Sequence, residues 1–177
     1  MIAYRRLGRD ELARVGEIDR TERIDALYVQ TGAELERVEG NFSAAPWHAG
    51  GHGGHSVAHQ VDECMRWLDA GAVALGAFEG DRLVGIGIVL PHLRPGIAQL
   101  AYLHVTDGFR DQGIGRRLSD ELDTLARDAG DTTMVVSATP SIHTVEFYRR
   151  RGYAPTSSPL PELYELEPED VHLEKRL

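Results

Sequence analysis

Apolar residues recur along the chain with two periods, and these predict an alternation of β-strands and helices. The clearest helix covers residues 113–129, where apolar residues repeat at helical spacing and Gly130 stands at the C-terminal cap position. Residues 56–70 form a second helix, and Thr139 with Pro140 opens a third. The predicted strands cover residues 2–7, 24–30, 33–39, 72–78, 82–90, 97–105, 132–138, 153–157 and 171–177.

The first third of the chain is less regular. A helix over residues 10–19, capped by Asp10, follows the first strand. The next two strands form a hairpin, and residues 40–56 follow as a glycine-rich loop, a kind of segment that is usually functional or mobile. The order of elements predicts a mixed α/β sheet covered by helices. We expect a single domain over residues 1–177, with an inserted hairpin and loop at about residues 20–56.

The stretch after the strand over residues 97–105 predicts a phosphate site. A polar loop carries Arg110, Gly113 and Gly115 follow it, and the best predicted helix comes next. The first amides of a helix lack internal partners and attract anions, and glycine lets a ligand approach the backbone closely. A plain strand–turn–helix, whose glycines serve only the turn, stays open as an alternative on these residues alone.

Composition and charge narrow the class of protein. The chain has 177 residues, of which 42% are hydrophobic and 27% charged, as in a globular domain with a full core. Its net charge of −9 argues against broad nucleic-acid binding and fits a cationic or amine partner. Cys64 is the only cysteine, and no apolar run reaches the roughly 20 residues that cross a bilayer. We therefore expect a cytoplasmic protein without nucleic-acid or membrane partners.

Three motifs, in this order along the chain, resemble the GNAT superfamily of acyl-CoA-dependent N-acyltransferases. Residues 110–115 match that family's Arg/Gln-x-x-Gly-x-Gly/Ala signature. Residues 141–153 are similar to the family's helix ending in Tyr, three residues, Gly and an aromatic, and residues 172–177 resemble its closing strand. The resemblance covers about residues 73–177 and extends less fully to residues 2–19. The insert carries no family-wide pattern.

The resemblance implies a fold, a reaction and a cosubstrate. The fold would be a central, mostly antiparallel sheet with splayed central strands, flanked by helices on both faces. The activity would be transfer of an acetyl group from acetyl-CoA, as cosubstrate, to a primary amine by direct attack in a ternary complex, without a metal. One alternative is a non-catalytic acyl-CoA-binding sensor or scaffold module. Another is a nucleotide-binding regulator, which is disfavoured because no Gly-Lys-Ser/Thr follows the glycines.

The resemblance also implies roles for individual residues. Tyr148 matches the family tyrosine that donates a proton to the leaving thiolate, although its helical spacing also fits a core aromatic. Backbone groups of Leu103 and Val105 would pair with the pantetheine arm, and Ser141 stands where the family often has Asn. The expected cosubstrate contacts are Leu103, His104, Val105, Arg110, Asp111, Gln112, Gly113, Ile114, Gly115, Arg116, Ser141 and Tyr148.

The general base is the least defined part of the predicted site. Some family members carry a Glu at the position of Gln99, and an amide cannot act as a base. His104 has a suitable pKa class, but strand alternation predicts that it faces away from Gln99. A water chain or a carboxylate of the insert stays open as the base. The candidate carboxylates are Glu22, Asp25 and Glu34.

The acceptor site is expected to lie at the insert. Its candidate residues are Glu22, Tyr28, Trp47 and Gln99. Tyr28 and Trp47 fit equally well as packing aromatics or as part of a homodimer contact. Four further histidines are of a type that suits zinc, but the glycines among them prevent a rigid site, so we expect no metal. A solvated loop, or a flexible loop over the acceptor site, is expected at His48, His52, His55 and His59.

Overall fold

The computed structural model describes all 177 residues and contains a seven-stranded sheet and a separate two-stranded hairpin. The strands are β1 (Ile2–Arg6), β2 (Glu22–Thr31), β3 (Glu34–Ala44), β4 (Val73–Glu79), β5 (Arg82–Arg94), β6 (Ile97–Val105), β7 (Thr133–Ala138), β8 (Ala154–Pro155) and β9 (Val171–Arg176). The helices are a 3-10 helix (Arg9–Glu17), α1 (Val57–Asp69), α2 (Ile114–Ala129), α3 (Ile142–Arg149) and α4 (Pro161–Leu166).

The sheet has the strand order β1-β4-β5-β6-β7-β9-β8, and all its neighbouring strands are antiparallel except β6 and β7. The parallel pairing of β6 with β7 is short, running from Ile97 opposite Thr133 to Gln99 opposite Val135. The two strands diverge beyond Gln99, and we call this gap the fork. The predicted mixed, mostly antiparallel sheet with splayed central strands is confirmed.

Two apolar clusters pack on opposite faces of the sheet. On one face α2 and α3 cover the sheet, with Leu118 and Leu122 fully buried as the helical spacing predicted. On the other face lie the 3-10 helix and α1, with Leu12 and Cys64 buried beneath them. Gly87 of β5 allows α2 to lie close to the sheet, because a Cβ atom there would meet Leu122 Cδ1 at 2.8 Å. No helix is both long enough and apolar enough to span a bilayer.

The insert forms the predicted hairpin, with Thr31 opposite Glu34 at its turn. It packs at the end of β7 and along α3. The amide of Tyr28 donates to the carbonyl of Pro140 at 2.8 Å, and its hydroxyl donates to Glu146 Oε1 at 2.8 Å. The hairpin is therefore attached to the strand and helix that border one side of the fork.

Several predicted boundaries are wrong for local reasons. The 3-10 helix is capped at Gly8 and not at Asp10, because the Glu11 carboxylate accepts the Gly8 amide at 3.1 Å. Helix α3 is capped by Ser141 and not by Thr139, since Ser141 Oγ accepts the Thr144 amide. Strand β3 also continues to Ala44, five residues into the predicted loop, and α4 lies between the last two predicted strands, where no helix was predicted.

Candidate active site

The loop between β6 and α2 holds its backbone open at the start of the helix. Gly108, Asp111 and Gly113 have φ values of 80°, 60° and 82°, in the left-handed region. Gly113 caps α2 without a side-chain hydrogen bond, and the first helical amide to find a partner is that of Arg117, at 3.0 Å from the Gly113 carbonyl. The amides of residues 112–116 make no hydrogen bond within the protein. Together with the helix dipole, they form a cradle suited to phosphate.

Arg110 lies in this loop, but its side chain is engaged within the protein. Its Nε donates to the carbonyl of Val105 at 3.2 Å, and one terminal nitrogen donates to the carbonyl of Thr21 at 2.8 Å. Arg110 therefore braces the loop against the start of β2. Arg116 is exposed and has no carboxylate in ion-pair range, so it is the arginine of the predicted contacts that is free to meet an anion at the cradle.

The fork next to the cradle leaves one backbone edge of β6 open. Pairing with β7 ends at Gln99, so residues 100–105 have no β-partner on that side. A bulge lies in the same stretch, because Leu100 pairs with Val89 while Tyr102 pairs with Ile88, which leaves Ala101 without a partner. Open N–H and C=O groups beside a phosphate cradle suit a linear ligand with amide groups.

The bulge corrects the predicted orientation of His104. On β5, Ile86 and Ile88 belong to the apolar cluster on the α1 face, and they pair with His104 and Tyr102. Gln99 pairs with Leu90, which points to the same face as Ile88 by alternation. The extra residue at the bulge therefore places Gln99, Tyr102 and His104 on one face, where strict alternation would separate them.

Three rings form an aromatic cluster on this face: Trp47, Tyr102 and His104. Tyr102 and His104 have ring centroids 4.6 Å apart, and Trp47 lies 5.2 Å from His104 and 6.4 Å from Tyr102. The Tyr102 hydroxyl donates to Gln60 Oε1 at 2.7 Å. Burial, together with the charges of Arg20 and Arg110, lowers the pKa of His104 to about 4. His104 is therefore neutral at physiological pH.

Gln99 lies at the apex of the fork with an unused acceptor. It is 3% exposed, and its Oε1 has no hydrogen-bond partner. A buried carbonyl without a donor costs free energy, so this position favours a ligand or a water that carries an N–H or O–H group.

Tyr148 lies on the other face, in the cluster under α3. It is 5% exposed and packs edge-on against Phe147 and Tyr153, with centroids 5.2 and 5.3 Å away. Val136 and Ala138 of β7 belong to the same cluster. Burial raises the pKa of Tyr148 well above its usual range, and Asp170 adds to this, so the phenol holds its proton at neutral pH.

The remaining predicted residues are divided between the site and other roles. Trp47 joins Gln99 and His104 on the α1 face of the sheet, whereas the Tyr28 hydroxyl is bound to Glu146 of α3. The Ser141 hydroxyl is taken up by Thr144, from which it accepts the amide at 3.2 Å and to which it donates at 2.9 Å. The acidic candidates Glu22, Asp25 and Glu34 lie on the hairpin, where Asp25 and Glu34 are exposed.

Sequence reasoning missed three polar residues at this site: Tyr102 within the aromatic cluster, and Arg20 and Gln60 beside it. Arg20 lies at the start of the predicted insert, and nothing in its local pattern indicates that it approaches Trp47. The histidine-rich loop is closed on itself, with the His48 amide 2.7 Å from the His55 carbonyl. No group of three or more potential metal ligands occurs in the structure.

A cradle of free amides beside the open edge of a forked sheet suits a ligand that carries both phosphate and a chain of amide groups, as an acyl-CoA does. The family model for the acetyltransferase (GNAT) domain matches residues 55–162, more than half of the chain. The chain therefore belongs to the GNAT acetyltransferase family. The predicted enzyme class, with acetyl-CoA as cosubstrate, is confirmed.

Solved structures of the same fold match the whole length of the chain. Nourseothricin acetyltransferase shares 16% identity at a TM-score of 0.74, over 99% of this chain and 98% of its own. A protein from Bacillus anthracis str. Ames, assigned as a streptothricin acetyltransferase and solved with acetyl coenzyme A, shares 12% identity at 0.73, over 100% and 99%. PaiA N-acetyltransferase from Thermoplasma acidophilum, solved with coenzyme A, shares 15% at 0.65, over 100% and 99%. No curated protein sequence matches the chain.

Proposed function

We propose that the protein transfers the acetyl group of acetyl-CoA to a primary amine by direct attack in a ternary complex. The observation that carries this proposal is the fork, where the open backbone edge of residues 100–105 leads directly into the free amides of residues 112–116. The amides and the exposed Arg116 would hold the pyrophosphate. The backbone of Leu103 and Val105 would pair with the amides of the pantetheine arm, as an added strand does.

The two faces of the sheet separate the two substrates. The cradle and Tyr148 belong with α2 and α3, whereas Gln99 and the aromatic cluster lie towards α1. A thioester placed in the fork would therefore be reached by the amine from the α1 face. The acceptor would lie among Trp47, Tyr102 and His104.

In the chemical step, a C–N bond forms at the acyl carbon, the C–S bond breaks, and coenzyme A leaves as a thiolate. Backbone amides near the bulge at Ala101 would stabilise the negative oxygen of the acyl group. Tyr148 would give its proton to the sulfur. Its raised pKa keeps the phenol neutral until charge develops on sulfur, and burial raises the proton affinity of a thiolate in the same way.

The amine must arrive without its proton. The charges of Arg20 and Arg110 close to His104 favour the neutral form of any base at this position, and they would act on the substrate amine in the same sense. Gln99 Oε1 would accept an N–H of that amine and orient its lone pair towards the fork. The proton released after attack would pass to water, because the lowered pKa of His104 makes that side chain a weak base at physiological pH.

Isothermal titration with acetyl-CoA, followed by a thiol-release assay over a panel of primary amines, tests the proposal. Nourseothricin belongs in the panel, because a protein of the same fold is named for it. We expect binding at or below tens of micromolar and release of coenzyme A that depends on the amine. Absence of acetyl-CoA binding in that range would refute the proposal, and binding without turnover of any amine would favour the sensor or scaffold module.

A further inference from the structure

One partly buried cation in the protein has no anionic partner. Four of the five partly buried arginines and lysines lie within ion-pair distance of a carboxylate; these pairs are Arg14–Glu17, Arg110–Asp107, Arg151–Asp120 and Lys175–Asp123. Arg20 is the fifth, and it makes no such contact. Burial lowers the pKa of Arg20, whereas the hydrogen bond to Glu17 raises the pKa of Arg14.

The guanidinium of Arg20 also keeps unused donors. Its Nε donates to the Ala45 carbonyl at 2.7 Å, and one terminal nitrogen lies 3.2 Å from His55 Nδ1. An arginine carries five N–H donors in a planar fork, so most of this group has no acceptor in the protein. A half-buried guanidinium with free donors is suited to a planar, bidentate anion.

Arg20 points into the proposed acceptor site. Its Cζ lies 5.9 Å from the centre of the Trp47 ring, and that ring is 5.2 Å from His104. Its backbone is held in place, because the amide and carbonyl of Asp19 and the carbonyl of Thr21 bind Thr106 and the loop after β6. The side chain of Gln99, with its unpaired Oε1, lies on the same face of the sheet. A fixed cation beside the aromatic cluster and a fixed carbonyl acceptor thus lie on the same face of the sheet.

We propose that Arg20 binds a carboxylate of the acceptor, so that the substrate is a primary amine that also carries a carboxylate, as in an amino acid. The N–H groups of the amine would meet Gln99, and the carboxylate would complete the ion pair that Arg20 lacks. This inference rests on the acetyltransferase function proposed above. The proposal predicts discrimination against amines that carry no carboxylate, because such a substrate would leave the charge of Arg20 without an anionic partner.

The first test compares matched amines that differ in the carboxylate: L-lysine with cadaverine, L-tyrosine with tyramine, and β-alanine with ethylamine. Acetylation by the full chain is followed through the thiol of released coenzyme A. In at least one pair, we expect kcat/KM to be about tenfold or more higher for the member with the carboxylate. The proposal is overturned if no carboxylate-bearing amine is acetylated faster than its partner.

The second test removes the cation. Arg20→Gln is compared with Arg23→Gln, whose arginine lies three residues further on in β2 with a side chain 81% exposed. Arg20→Gln should lower kcat/KM for the carboxylate-bearing amine by about 10–100-fold and for its partner by less than about threefold, while Arg23→Gln changes neither. Arg20→Lys keeps the charge without the fork and should fall between wild type and Arg20→Gln. Equal losses on both amines, in a variant that melts like wild type, would assign Arg20 to structure.

Titration with acetyl-CoA separates failure of this inference from failure of the acetyltransferase function. We expect Arg20→Gln to bind acetyl-CoA within about twofold of wild type. A large loss of that binding would assign the guanidinium to the donor phosphates and overturn its role at the acceptor. A wild type that binds acetyl-CoA but prefers amines without a carboxylate refutes only the role of Arg20. A wild type that neither binds acetyl-CoA nor acetylates an amine refutes the underlying function.

Discussion

Replacing Gly113 with Ala should measure the free energy needed to hold the cradle in its left-handed conformation. Gly113 has φ = 82°, and a Cβ atom there would meet no heavy atom within 4 Å, so the penalty is conformational and not steric. An L-residue in the left-handed region costs about 1–2 kcal/mol. If the variant loop keeps this conformation, the melting temperature should fall by about 2–8 °C, since each kcal/mol is worth about 2–4 °C in a domain of this size.

If the loop instead relaxes when no ligand is bound, the same free energy must be supplied when acetyl-CoA binds. Stability is then retained, and acetyl-CoA affinity falls by about 5–30-fold, because 1.4 kcal/mol is about a factor of ten. Calorimetric melting and isothermal titration on one protein sample measure both parts. Gly53→Ala is the matched control, since it also has open space but no positive φ. A Gly113→Ala protein that changes in neither measurement would refute the left-handed cradle.

Three further substitutions test other parts of the structure. Tyr148→Phe should lower kcat by about 10²-fold or more and leave acetyl-CoA affinity within about threefold, in line with loss of a general acid; unchanged turnover would remove Tyr148 from the chemistry. Lys175→Met leaves Asp123, whose Oδ1 already has no partner, as a buried unpaired charge. The free energy of unfolding, measured with denaturant, should fall by about 3–5 kcal/mol. The double variant Lys175→Met/Asp123→Leu should recover most of this loss. Burial raises the pKa of Asp170 to about 7, so the folded protein holds this proton more tightly than the unfolded chain, and the associated stability is lost as pH rises towards 7. Asp170→Asn should therefore melt higher than wild type near pH 8 and should lose that advantage near pH 4; a constant difference at both pH values would contradict the titration of Asp170.

Repeating local patterns made much of the fold predictable. The spacing of apolar residues within α2 is enough to predict which of its faces is buried, and Leu118 and Leu122 are buried on that face. The glycine positions of the loop before α2 likewise follow from backbone conformations that few other residues adopt, as at Gly113.

The proposed acceptor site was less predictable because its geometry depends on one extra residue. The bulge at Ala101 changes the face of every later side chain of β6, yet the sequence Leu100-Ala101-Tyr102 shows no break in its apolar run. The proximity of Arg20 to Trp47 is a tertiary contact across the insert, and no local period encodes it. Capping at Ser141 likewise depended on the hairpin, since the carbonyl of Pro140 is used by the Tyr28 amide.

The attachment of the insert to the loop after β6 has a consequence for how the two substrates bind. The Asp107 amide donates to the Asp19 carbonyl at 2.8 Å, and Arg110 donates to the Thr21 carbonyl at 2.8 Å, so the residues on either side of Arg20 are fixed by the donor loop. If the binding of acetyl-CoA orders that loop, it should also order Arg20 and the proposed acceptor site. By reciprocity, the factor by which acetyl-CoA raises affinity for the acceptor equals the factor by which the acceptor raises affinity for acetyl-CoA. The proposed donor and acceptor sites are thus joined through three residues, Asp19 to Thr21, which would carry any cooperativity between them.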